Sequence, residues 1–115
     1  MGVEVSIDPP VCPIAANGGV SKHKIINHTD LYVAYKVRCS DNSHYSVNKV
    51  YGIIRVAERD ELIITRRPGK PQADKLVIEY ANIDHTKTDP KEPFATGKAV
   101  GYFTGETVVK LSAAE

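Results

Sequence analysis

At 115 residues the chain has room for one domain, 1–115, with a core large enough to need neither metal nor disulfide. Hydrophobic residues at 42% and charged residues at 25% are the balance of a folded globular chain and exclude a disordered one. Basic and acidic residues number 15 and 14, and a net charge of +1 excludes a global field for nucleic acid or an anionic membrane.

No apolar run approaches the length of a membrane span, so no membrane insertion is expected. The opening, Met1 to Asp8, carries acidic Glu4 and Asp8. It lacks the basic start and long apolar stretch of a secretory signal, which points to the cytoplasm. There Cys12 and Cys39 are expected as free thiols.

Taken in chain order, Val3 to Ile7 and Val11 to Ala16 read as a single edge strand interrupted by Pro9, Pro10 and Pro13. Proline cannot donate to a ladder and belongs on an edge. Asn17-Gly18-Gly19 turns the chain into a strand over Val20 to Asn27. After His28-Thr29-Asp30, residues Leu31, Val33, Tyr35, Val37 and Cys39 alternate with Tyr32, Ala34, Lys36, Arg38 and Ser40. That is a long strand with one apolar and one mainly polar face. Ser40-Asp41-Asn42 is a turn, Tyr45 to Asn48 a short strand, and Leu62 with Ile64 anchor another. Arg67-Pro68-Gly69 turns into a strand on which Leu76, Ile78 and Tyr80 alternate with Val77, Glu79 and Ala81. Asp84 to Gly97, rich in Pro, Thr and Lys, reads as a surface loop with one helical turn after Asp89-Pro90. Val108 to Ser112 is the last strand.

About seven short strands, with no helical period over three turns, predict an all-β immunoglobulin-like sandwich of two antiparallel sheets. A small barrel is the competing architecture. The chain has no Trp, so its core must rest on aliphatic and Tyr side chains.

Catalytic and metal chemistry find no foothold. His23, His28, His44 and His85 are scattered, and no ligand pair has zinc spacing. No nucleophile elbow surrounds a Ser or Cys, and no glycine pattern forms a phosphate cradle. No cofactor, metal or catalytic residue is therefore expected. Asn27-His28-Thr29 is a formal glycosylation sequon but reads as a turn whose side chains bond to the backbone. The basic residues carry more. Lys36 and Arg38 point the same way from one strand, Lys75 begins another, and Arg66, Arg67 and Lys70 gather at a turn. This is either an ordinary solvated face or an acceptor surface for an acidic peptide.

The segment from His23 to Leu31, followed by Ala34-Tyr35-Lys36-Val37-Arg38, resembles the major sperm protein domain. Further matches follow in order: Asn42, Tyr45-Ser46-Val47, Tyr51-Gly52-Ile53-Ile54, Asp74-Lys75-Leu76-Val77, Tyr102-Phe103-x-Gly105 and Leu111. Asp8-Pro9-Pro10, Gly18-Gly19, Val50-Tyr51-Gly52 and the stretch from Arg67 to Pro71 resemble the small single-domain, sperm-specific nematode branch.

The resemblance implies a seven-stranded sandwich of the periplasmic-chaperone (PapD-like) type and a non-catalytic protein–protein interaction domain. It implies a structural or accessory role in the nematode sperm cytoskeleton, in the cytoplasm and the pseudopod. The partners it implies are this chain itself, as a homodimer, or other proteins with the same domain. The alternative it implies is an adaptor for acidic linear motifs, held on a basic face made here by Lys36, Arg38, Cys39, Ser40, Lys75 and Val77. Asn48-Lys49 and Arg55-Val56-Ala57-Glu58 stand where relatives commonly carry proline, and Cys39-Ser40 replaces a pair of small hydroxyl residues.

Overall fold

The computed structural model describes residues 4–95 and 103–115. The described residues form nine strands: β1 (Val5–Asp8), β2 (Val11–Ala15), β3 (Gly19–Asn27), β4 (Tyr32–Cys39), β5 (Tyr45–Val47), β6 (Tyr51–Ile54), β7 (Arg59–Arg66), β8 (Gln72–Ile83) and β9 (Thr104–Ala114). They build two sheets packed face to face. One has the order β1-β3-β7-β5 and the other β2-β9-β8-β4-β6. The expected sandwich is therefore present, with nine strands rather than seven.

The extra strands come from places where the chain changes sheets. The single edge strand expected at the start is two strands. β1 pairs with β3 in one sheet, and β2 pairs with β9 in the other. The switch falls at Asp8–Pro9, a cis peptide. β2 runs parallel to β9, so the expectation of purely antiparallel sheets is corrected at this one edge. A second switch separates β5, on the edge of the smaller sheet, from β6, on the edge of the larger. Asn48 and Lys49, which stand in place of the common proline, secure that crossing. The Asn48 side chain accepts from the Ile63 N–H (2.8 Å) and donates to the Glu61 carbonyl (3.1 Å), as a backbone amide would in the ladder. Lys49 Nζ pairs with Asp60 at 2.8 Å.

Alternation puts Val33, Tyr35 and Val37 of β4 inward against Ile25, Leu62, Ile64, Leu76, Ile78, Val109 and Leu111. Tyrosine supplies the bulk that Trp would otherwise give. The Tyr35 ring lies where any Cβ on Gly52 would collide, and its hydroxyl crosses between the sheets to Asp60. Ala34 sits on the outer face of β4, as period two places it, yet is fully buried. A 3-10 turn over Glu92–Phe94 lays Phe94 across that part of the sheet, forming a small second core with Ala34 and Ile83. The expected loop over Asp84 to Gly97 thus does contain one helical turn, and its residues 96 and 97 lie outside the described residues, as does Tyr102. Cys12 and Cys39 are free thiols.

Candidate functional site

Most of the candidate residues belong to the outer face of the larger sheet. β4 and β8 set Lys36 opposite Glu79, Arg38 opposite Val77 and Cys39 opposite Leu76. β9 continues each row, with Glu106 opposite Glu79, Val108 opposite Val77 and Lys110 opposite Lys75. Strand alternation therefore brings Lys36, Arg38, Lys75 and Val77 to one face, as expected. It also adds Val108 and Lys110, whose place beside them the sequence could not show.

The charges on this face are not all free. Glu79 and Glu106 are directly opposite one another and would repel. The Arg38 guanidinium bridges them, with Nε 3.5 Å from Glu79 and Nη2 3.3 Å from Glu106. Arg38 is thus matched within its own sheet by two carboxylates. Val77 is buried between Arg38 and Val108 and offers almost no surface.

Ser40 is committed to local structure. Its hydroxyl donates to Asp74 (2.8 Å) and accepts from the Lys75 N–H (3.0 Å), and its own N–H donates to the Lys75 carbonyl. Cys39 points the other way. Half-buried, it lines a cavity of about 240 Å³ with Val37, Tyr45, Val47, Val50 and Leu76. Burial pushes its thiol pKa up, the direction that suppresses thiolate chemistry.

On and around this face, the cations left without an ion pair among the described residues lie at its two ends. At one end Lys36 and Lys91 both approach the Tyr51 ring, with Nζ 6.0 Å and 5.6 Å from its centroid. At the other, Lys75 and Lys110 are cross-strand neighbours, with Val108 and Val11 exposed beside them. Tyr51 and Lys91 were not among the residues expected from sequence. The 3-10 turn brings Lys91 over the sheet, and no local pattern announces that contact.

Among the described residues, no group of three or more His, Cys, Asp and Glu side chains could hold a metal ion. No helix of the described residues is long and apolar enough to cross a membrane. His23 is buried with both ring nitrogens engaged: Nδ1 donates to the Pro9 carbonyl (2.8 Å), leaving Nε2 to accept from Ser21 (2.7 Å). The sequon at Asn27-His28-Thr29 is a bonded turn. Asn27 Oδ1 accepts from the N–H and the hydroxyl of Thr29. What the face offers is directional: two patches of ammonium groups, one aromatic and one aliphatic in setting, on a rigid sheet.

The family model for the MSP (Major sperm protein) domain matches residues 4–100. Sperm-specific class P protein 34 of Caenorhabditis elegans is 42% identical, over 96% of this chain and 99% of that protein. The structure of WR4, a C. elegans MSP family member, superposes with a TM-score of 0.90 at 41% identity, covering 98% of this chain and 100% of the other. The PapD-like domain 7 of human CEP192 shares the fold alone, at 15% identity and a TM-score of 0.63, over 97% of this chain and 86% of that one.

Proposed function

The chain belongs to the major sperm protein domain family, a non-catalytic family, and from that premise we propose that it is a protein–protein interaction domain of the nematode sperm cytoskeleton. It acts in the sperm cytoplasm and pseudopod as a structural or accessory component, joined to further copies of itself or to other proteins with this domain. The observation that carries this reading is the outer face of the larger sheet. It is a rigid surface on which exposed Val11 and Val108 adjoin Lys75 and Lys110 with no helix or loop of the described residues packed over them. Apolar residues rimmed by charge on a flat sheet suit protein contact, not small-molecule chemistry. Sedimentation velocity tests it, with the chain alone and mixed with a second sperm MSP-domain protein. Concentration-dependent growth or a mixed complex is expected. Clean monomers in both experiments would defeat the reading.

The Lys36–Tyr51–Lys91 cluster favours a second reading, an adaptor for acidic linear motifs. Unpaired ammonium groups around an aromatic ring suit a carboxylate-bearing extended segment. Because Arg38 is held by Glu79 and Glu106, the binding role shifts toward Lys36 and Lys91. Titration with a labelled peptide of alternating Glu and Phe should show binding that Lys36→Glu and Lys91→Glu each weaken by about 10-fold. Equal affinity in both variants would remove this reading.

A further inference from the structure

We propose that the chain contains a matched pair of docking surfaces, an acid-rimmed groove at one end and a base-rimmed apolar patch on the sheet face, through which one copy receives the next. This rests on the self-association reading above and names the surfaces that would carry it.

The groove, about 520 Å³, lies between the β3–β4 loop, the β6–β7 turn and the end of β8. Leu31 and Val56 line it together and stand 37% and 41% exposed. Its charged lining is Asp30 and Asp84, with His85 beside Asp84. Arg55 shares the turn with Val56 but does not line the groove. The groove is built rather than incidental. Buried Asn27 donates through Nδ2 to the carbonyls of Leu31 (2.8 Å), Ile54 (3.2 Å) and Arg55 (3.0 Å), tying the loop that bears Leu31 to the turn that bears Val56. In that turn Ala57 has φ 58°, the left-handed region that a residue with a Cβ seldom occupies.

The patch lies toward the other end of β8. Val11 and Val108 are 48% and 43% exposed. Lys110 is paired in register with Val11 on one side and Lys75 on the other. One apolar pair is thus rimmed by carboxylates and the other by the two ammonium groups, with Glu106 on the far side of Val108 already bridged by Arg38. Opposite charge around matched apolar surface both steers two copies together and fixes their register. The two surfaces are different, so the contact is heterologous. Each added copy leaves one groove and one patch free, and assembly continues unless the rotation closes a ring.

This asymmetry supplies the test. Asp30 and Lys110 are both exposed, so Asp30→Lys and Lys110→Glu should fold, as checked by circular dichroism and thermal melting. In sedimentation velocity each variant alone should associate at least about 10-fold more weakly than the unaltered chain, since each sets like charges against each other. Mixed, the intact patch of Asp30→Lys should meet the intact groove of Lys110→Glu, and the reversed groove of the first should accept the reversed patch of the second, so that association returns in the mixture. Association of either variant at the unaltered strength would overturn the pairing while leaving self-association by another surface. Failure of the mixture to associate, with both variants monomeric, would overturn the heterologous geometry. An unaltered chain that stays monomeric but joins a second MSP-domain protein would overturn this inference and keep the broader interaction reading.

Discussion

The two ends of β3 are each held by one buried polar side chain, and the two are satisfied in different ways. At one end Asn27 donates to the carbonyls of Leu31, Ile54 and Arg55 and accepts twice from Thr29. At the other lies Arg66, paired across the sheet with Gly19. Its Nε and Nη2 donate to the carbonyls of Ala16 (3.3 Å) and Lys70 (2.8 Å), and its guanidinium lies over the Tyr45 ring at 5.0 Å. Its Nη1 and the Tyr45 hydroxyl are buried with no partner among the described residues. The neutral amide uses its whole hydrogen-bonding capacity and carries no charge to desolvate. The guanidinium gains two carbonyl bonds and a ring contact but carries a charge into the interior without a carboxylate. Being the more strongly charged group does not make Arg66 the stronger fastener.

The largest effect that would sharpen this contrast is expected at Asn27. Asn27→Asp sets a carboxylate against three carbonyl oxygens and removes the only donor, so urea unfolding should show a loss of about 4 kcal/mol. Asn27→Ala leaves the same carbonyls unpaired without adding charge and should lose about 3 kcal/mol. It should also weaken any self-association, because the loop bearing Leu31 is no longer tied to the turn bearing Val56. Arg66→Met keeps the apolar stem over Tyr45 and removes the buried charge, and should change stability by about 1 kcal/mol or less. A loss at Arg66→Met equal to that at Asn27→Ala would break the comparison.

The smallest effect concerns acid. Near the Arg66 end, Asp41 accepts hydrogen bonds from Ser43 and His44, which hold its carboxyl down to about 2 from an ordinary 3.8. Its folded pKa lies below its unfolded one. Its contribution to stability is therefore complete above the ordinary value and is lost as the pH falls through about 2. Asp41→Asn keeps an oxygen that can accept from the Ser43 and His44 backbone N–H groups, so it should leave stability at pH 7 nearly unchanged while flattening the last part of the acid-unfolding curve. A steep change at neutral pH in that variant would show that Asp41 does more than cap its turn.

Much of the sandwich was legible because strand alternation is a local signal. Val33 to Cys39 and Leu76 to Tyr80 alternate so regularly that their inner faces could be read directly, whereas Leu31, read with the same apolar face, precedes β4 and is exposed. The turns at His28-Thr29-Asp30 and Arg67-Pro68-Gly69 marked where those strands begin. The sheet switches at Asp8–Pro9 and Asn48-Lys49 were not legible. A proline or an asparagine marks a break in a ladder but does not say which sheet the chain joins next. For the candidate site, Lys36, Arg38, Lys75 and Val77 were placed on one face, since period two alone decides which way each points. Whether those residues are free could not be read. Arg38 is matched by Glu79 and by Glu106, which lies 68 residues away in sequence. Val77 is covered, and Lys91 arrives from a turn that crosses the sheet from outside it.

The sequence by itself determined the all-β class, the inner and outer faces of the long strands and the family, because these follow from alternation, turn chemistry and the order of short motifs. Only the tertiary structure decided which charges remain available, since that depends on cross-strand register between segments far apart in the chain. It also decided that Leu31 and Val56 share a groove and that Val11 and Val108 share a patch, because exposure is a property of what the rest of the chain leaves uncovered.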